Sequence, residues 1–139
     1  RGSIFQSTTD TEVIIHLIAT SKQGGFFERL VDALGQVKGA YSLLFLTESS
    51  MVAVRDPNGF RPLCLGKLKN SYIVASETCA LDLVEAEYIR DIEPGEIVVI
   101  DNNGLTSQKP FTEVKPSPCI FEFIYFARPD SNVFGRNVY

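Results

Sequence analysis

At Gly39 the hydrophobic period of this chain changes. Before it, apolar residues recur at helical spacing; after it, they come in short runs separated by turn residues. Thr9-Asp10-Thr11-Glu12 has the form of a capping box, with threonine at the cap and glutamate three residues on. Behind it Ile14, Leu17 and Ile18, with Val13 and Ile15, make a broad apolar face, and Lys22 with Gly24-Gly25 ends the pattern. Phe27, Leu30, Val31 and Leu34 set a second helix over residues 26–37. Past Gly39, "AYSLLFLT" and "MVAV" flank Glu48-Ser49-Ser50 and predict a hairpin. "RDPNGFRPL" is a loop, because Asp-Pro and Asn-Gly both turn the chain. "LCLG" and "SYIVAS" predict another strand pair, and residues 78–85 a short helix. "EIVVID" and "LTSQ" flank Asn102-Asn103-Gly104, a hairpin signal. "IFEFIYFA" from Ile120 reads as a last strand. Two helices followed by antiparallel strands are the order of an α+β fold, not of an alternating parallel one.

The 139 residues suit one domain or a large part of one. A formal net charge of −4 gives no electrostatic reason to expect a nucleic acid or an anionic membrane as partner. No apolar run approaches a membrane span. Cys64, Cys79 and Cys119 are too few and too widely spaced for a disulfide framework. They suggest a reducing compartment, and a cytoplasmic location is expected. His16 is the single histidine, which argues against a histidine triad or a histidine-rich metal site; its place beside the apolar stripe predicts a partly buried or rim side chain. The chain opens on Arg1-Gly2-Ser3 without an initiator methionine, and we expect an internal piece of a longer protein. Pro110, Pro116 and Pro118 sit among polar residues and predict a connector, dividing the chain into residues 1–114 and 115–139.

Three stretches in order, "FQSTTDTEVIIHLI" (residues 5–18), "AVRDPNGFRPLCLG" (53–66) and "IVASETCALD" (73–82), resemble the glutaminase domain of class II glutamine amidotransferases. These are N-terminal-nucleophile hydrolases. "CIFEFIYFARPDSN" from Cys119 narrows the likeness to the amidophosphoribosyltransferases, where a similar segment joins the glutaminase to the phosphoribosyltransferase half. "RDIEPGEIVVID" fits both levels.

The resemblance implies an αββα four-layer sandwich, incomplete here. It implies an enzyme that hydrolyses glutamine and passes the ammonia to phosphoribosylpyrophosphate, giving 5-phosphoribosylamine at the first committed step of purine synthesis. The family's nucleophile is a cysteine at the mature N-terminus, with its own α-amino group as base. That residue and the oxyanion Asn-Gly pair are expected outside this chain, so the chain alone should have no glutaminase activity. Asn58-Gly59 and Asn103-Gly104 sit in turn contexts and are not that pair. A magnesium ion belongs to the transferase site, also outside the chain, and the full-length protein is expected to be a homo-oligomer. Two other readings share the fold: an amidotransferase of the glucosamine 6-phosphate synthase type, and a non-catalytic domain binding glutamine or a partner.

Asp10 is the first site residue implied. In the family this acid holds the α-ammonium of glutamine, as a carboxylate can through charge-assisted hydrogen bonds. The tetrapeptide by itself reads first as a favourable first-turn acid, and it is the other family stretches that turn the reading to ligand binding. Cys119 is the second, because in many members the first thiolate of a [4Fe–4S] cluster sits just before the aromatic segment. A cluster needs four thiolates, so the remaining ligands are expected outside this chain; the alternative is a small buried thiol. Tyr125 and Arg128 are expected to couple the two active sites, against the alternative of core packing and a turn salt bridge to Asp130. Cys64 and Cys79 are expected to pack in the core. Arg55, Asp56 and Arg61 are read as structural, with Asp56 and Arg61 pinning the turn. Ser76-Glu77-Thr78 is read as a strand end and a capped helix start.

Overall fold

The computed structural model describes residues 9–111 and 117–138. It falls into two compact units, one up to Gly39 and one from Ala40 on.

In the first unit α1 (Thr11–Thr20) and α2 (Phe26–Gly35) pack against each other. The apolar face of α1 is narrower than its composition predicts: Ile14 is buried, Leu17 and Ile18 are half-buried, and Val13 and Ile15 are exposed. In α2, Leu30, Ala33 and Leu34 are buried. The connection is held by Ser21, whose backbone N–H donates to the Leu17 carbonyl and whose hydroxyl donates to Asp32 at 2.5 Å. The predicted second helix overshoots by two residues. After Gly35 the amides of Gln36 and Val37 bond to the carbonyls three residues back, the tightened ending usual at a helix C-terminus.

The second unit contains β1 (Ser42–Leu46), β2 (Ser50–Arg55), β3 (Cys64–Leu68), β4 (Ser71–Ala75), α3 (Thr78–Leu83), β5 (Glu87–Asp91), β6 (Ile97–Asp101), β7 (Gly104–Gln108), β8 (Asn132–Val133) and β9 (Arg136–Asn137). One antiparallel sheet has the order β1-β2-β6-β7 and a second the order β4-β3-β5. Ala53 and Val98 from the first sheet meet Leu65 from the second, with Leu63 and Ile92, in a core sealed from water. The neighbouring residue Cys64 points to the opposite face, where it meets Leu81 of α3 and Ala86. This alternation along β3 builds three successive layers: helix, sheet, sheet. Both predicted Asn-Gly turns are turns. Gly59 has φ +64°, and Asp101 pairs with Gly104 across the β6–β7 hairpin.

Three elements differ from the sequence reading. β5 was not expected: it is a short edge strand rich in charge, with Glu87, Tyr88 and Ile89 exposed. It joins β3 across an irregularity at Leu65/Gly66. Residues 120–127 do not form a strand. Glu122–Phe126 is a π-helical turn closed by the amide of Ala127 on the carbonyl of Glu122 at 2.9 Å. Strand propensity loses here to tertiary pairing, because the turn buries Glu122 against Arg61 while leaving Ile120, Phe121 and Ile124 outside. The β8–β9 hairpin was also missed. Its two-residue loop, Phe134-Gly135, has φ +53° and +73°, the left-handed pair of a type I′ turn. Phenylalanine at the first of these positions hides the signal that asparagine would give.

Candidate functional site

Asp10 is the N-cap residue of α1, one position later than the capping-box pattern implies. The first helical bonds run from Glu12 to the Thr9 carbonyl and from Val13 to the Asp10 carbonyl, each 3.1 Å. The Asp10 carboxylate makes no capping bond. It is exposed, and among the described residues the contact it shows is a long one, 3.4 Å, from the Thr11 hydroxyl. A carboxylate left over at a helix mouth is available to a cation. His16 lies a turn further along, a rim side chain 3.6 Å from Glu12.

In the second unit the Arg-Asp-Pro loop is built from inside. Arg55 is 4% exposed and donates to three carbonyls, those of Arg61 (2.8 Å), Ile92 (2.6 Å) and Gly59 (3.1 Å). Asp56 is wholly buried and accepts from the amides of Asn58 and Phe60 at 2.9 and 3.2 Å. Burial pushes the Asp56 carboxyl up and the Arg55 guanidinium down, and the amides at Asp56 and the acids near Arg55 oppose those shifts. Asp56 therefore pins the turn as expected. Arg61 does not share that task. It reaches out to Glu122, 2.6 Å away, and lies 4.3 Å from the centre of the Phe126 ring.

Residues 117–132 form a strap fastened along this loop. The amide of Ser117 donates to the Asn58 carbonyl (2.7 Å) and that of Cys119 to the Phe60 carbonyl (3.3 Å). Phe123 packs on Phe134, which also lies under the Arg55 guanidinium. Tyr125, by contrast, is 76% exposed and touches Phe121, so its ring is not part of a core. Arg128 makes a two-pronged pair with Asp130, both bonds 3.0 Å. The salt bridge considered for that turn therefore exists, and both partners remain exposed.

The far end of the strap is held by Glu77 and Thr78, which the sequence reading assigned to a capped helix start. Glu77 is the N-cap residue of α3 but makes no capping bond. Its Oε2 accepts from the backbone amide of Arg128 (2.9 Å), the Ser131 hydroxyl (3.0 Å) and, at longer range, the Cys79 thiol (3.5 Å). The Thr78 hydroxyl accepts the Asn132 amide at 2.9 Å. Two motifs some fifty residues apart are thus one piece of structure. A hydroxyl or carboxylate just before a helix has the same local pattern whether it caps or reaches elsewhere, so sequence alone cannot separate the two.

All three cysteines are free. Cys64 and Cys79 are buried as expected, and Cys119 is half-buried at the start of the strap. Among the described residues no three His, Cys, Asp or Glu side chains gather as a metal site. Cys119 is the most accessible of the three. The structure places it with Tyr125 and Arg128 on the strap; Asp10 belongs to the other unit. The predicted boundary at 114/115 and residues 5–8 of the first motif lie outside the described residues. Among the described residues no helix is long and apolar enough to cross a membrane.

Residues 1–83 match the model of the glutamine amidotransferase domain family. The chloroplastic amidophosphoribosyltransferases of Glycine max and Vigna aconitifolia are 58% and 60% identical over 99% of this chain, which covers 24% and 28% of their lengths. The Bacillus subtilis amidophosphoribosyltransferase is 46% identical over the whole chain, covering 29% of that protein. The solved glutamine phosphoribosylpyrophosphate amidotransferase of B. subtilis, complexed with ADP and GMP, superposes with a TM-score of 0.96 at 47% identity over 99% of this chain and 30% of that one. The present chain thus spans about a quarter of the length of the curated relatives it matches. At this likeness the α+β fold is that of an N-terminal-nucleophile hydrolase, and the chain belongs to the glutamine amidotransferase family, where it is similar to the amidophosphoribosyltransferases.

Proposed function

We propose that this chain is the later part of the glutaminase domain, with the connector that follows, of an amidophosphoribosyltransferase. In that reading the full-length protein hydrolyses glutamine to glutamate and ammonia. The ammonia then displaces pyrophosphate from phosphoribosylpyrophosphate and forms 5-phosphoribosylamine. The observation that carries the reading is the near end-to-end match, 58% and 60% identical, to two relatives of that name. The local geometry supports a role for Asp10, whose carboxylate is exposed and not used as a cap. It would hold the α-ammonium of glutamine, while the nucleophile, its base and the oxyanion donors come from residues outside this chain. Tyr125 and Arg128, displayed on the outer side of the strap, would communicate acceptor binding to the glutaminase.

In the same reading Cys119 gives one thiolate to a [4Fe–4S] cluster whose other ligands lie outside this chain. Magnesium serves the transferase site, and the full-length protein assembles as a homo-oligomer. Three free cysteines support a reducing compartment, either the cytoplasm or the plastid that the plant relatives' names specify.

The test uses the full-length protein with glutamine, phosphoribosylpyrophosphate and magnesium. Asp10→Asn should raise KM for glutamine about 10- to 100-fold, the loss of a hydrogen bond to a charged group worth about 1.5–3 kcal/mol. Transfer supported by ammonium salts should persist. Tyr125→Ala should let glutamine be hydrolysed without matching pyrophosphate release. If wild-type protein releases no pyrophosphate with either nitrogen source, the function is wrong. An unchanged glutamine KM in Asp10→Asn would remove the role of Asp10 alone.

A further inference from the structure

The strap is fastened at two places by two carboxylates of different kind. Near its start Glu122, 3% exposed, is answered by the Arg61 guanidinium. At its end Glu77 is answered by neutral donors, the Arg128 amide and the Ser131 hydroxyl. Between these fastenings Ile124, Tyr125 and Phe126 stand 62%, 76% and 54% exposed. Ser131 is fully buried, so its hydroxyl needs the acceptor that Glu77 provides. The backbone of Glu77 is set between the end of β4 and the start of α3, both part of the layered core. Its side chain therefore carries the position of that core to a turn that has little burial of its own: Arg128, Pro129 and Asp130 are all exposed.

We propose that Glu77 is a positioning residue: by accepting the Arg128 amide and the Ser131 hydroxyl it locks residues 128–132 onto α3, and so fixes the direction in which Tyr125 and Arg128 are presented for coupling. Thr78 completes the lock through the Asn132 amide. The role needs an acceptor at the Glu77 side chain rather than a charge, since its two close donors are an amide and a hydroxyl. A glutamine there should serve; an alanine should not. The consequence for coupling rests on the proposed function, whereas the lock itself does not.

The test compares Glu77→Ala and Glu77→Gln in the full-length protein by two readouts. In hydrogen exchange, Glu77→Ala should speed exchange of the Arg128 and Ser131 amides at least tenfold and leave β3 and β4 protected, while Glu77→Gln stays within about twofold of wild type. In turnover, Glu77→Ala should lower the ratio of glutamine-supported to ammonia-supported phosphoribosylamine formation at least fivefold with the ammonia-supported rate unchanged, and Glu77→Gln should restore it. The proposal is overturned by unchanged exchange at Arg128, by a parallel fall of both rates, by an unaltered ratio, or by a Gln variant as impaired as Ala. If wild-type protein forms no phosphoribosylamine from either source, the proposed function fails and the exchange experiment still decides the lock.

Discussion

Arg61 faces Glu122 at 2.6 Å while its guanidinium covers the Phe126 ring, so one side chain answers a buried charge and packs a π-helical turn. The contact is a close ion pair rather than an aligned hydrogen bond, since Glu122 Oε1 has no well-directed donor. Burial pushes the Glu122 carboxyl above its usual range, Arg61 pulls it back, and Glu77 pushes it up further. A carboxyl raised on folding stabilises the fold below its unfolded value of about 4.3, and that contribution is lost as pH rises through the raised value. At neutral pH the ionised form depends on Arg61. We therefore expect Arg61→Ala to destabilise the protein by about 1–3 kcal/mol at pH 7, discounted for the partial exposure of Arg61. The deficit should shrink as pH falls toward 5. Urea midpoints at the two values check this, and a deficit independent of pH would contradict it.

Arg55 predicts a different outcome for a conservative change. Its planar fork satisfies carbonyls from Gly59, Arg61 and Ile92 at once. Lysine keeps the charge but cannot reach three diverging acceptors. Each buried carbonyl left unpaired costs about 1–3 kcal/mol, so Arg55→Lys should lose about 2–4 kcal/mol. Thermal unfolding of the full-length variant measures it, and a near-native Tm would show that water replaces the lost donors.

At Gly66 space is the constraint. A Cβ there would lie 2.8 and 2.9 Å from the two methyls of Leu81 and 3.0 Å from the Glu87 carbonyl oxygen. Backbone oxygen on one side leaves Leu81 little direction in which to yield. Gly66→Ala should cost about 1–3 kcal/mol by overpacking, and Gly66→Ala with Leu81→Ala should recover part of it. A double variant less stable than the sum of the two would argue against the clash.

The thiols should separate by reactivity. Cys64 is 3% exposed and burial, foremost, with nearby Asp91 pushes its thiol up to about 11. Cys79 is 6% exposed and donates toward Glu77. Cys119 is half-buried at the strap's start. With a neutral thiol reagent and metal-free full-length protein, Cys119 should label at least tenfold faster than Cys64. Mass mapping of labelled peptides reads the order. Cys119→Ser should also abolish iron and acid-labile sulfide in anaerobically purified protein if the proposed cluster is present.

What local sequence determined was the order of elements. The helical period up to residue 35, the hairpin at Asn103-Gly104 and the turn at Asn58-Gly59 follow from contacts within a few residues, and those contacts are already written in the spacing of apolar and turn residues. The family motifs located Asp10 at a helix mouth in the same way. Tertiary structure decided whatever needed a partner far along the chain. "IFEFIYF" has the composition of a strand and becomes a π-helical turn because Glu122 is drawn to Arg61. "EYIRD" carries too much charge to announce a strand and becomes one because β3 offers an open edge. Glu77 has the address of a helix cap and spends its carboxylate on a turn fifty-one residues away. Hydrogen bonds and ion pairs of that range are set by where the packed layers bring the chain, and no local period encodes them.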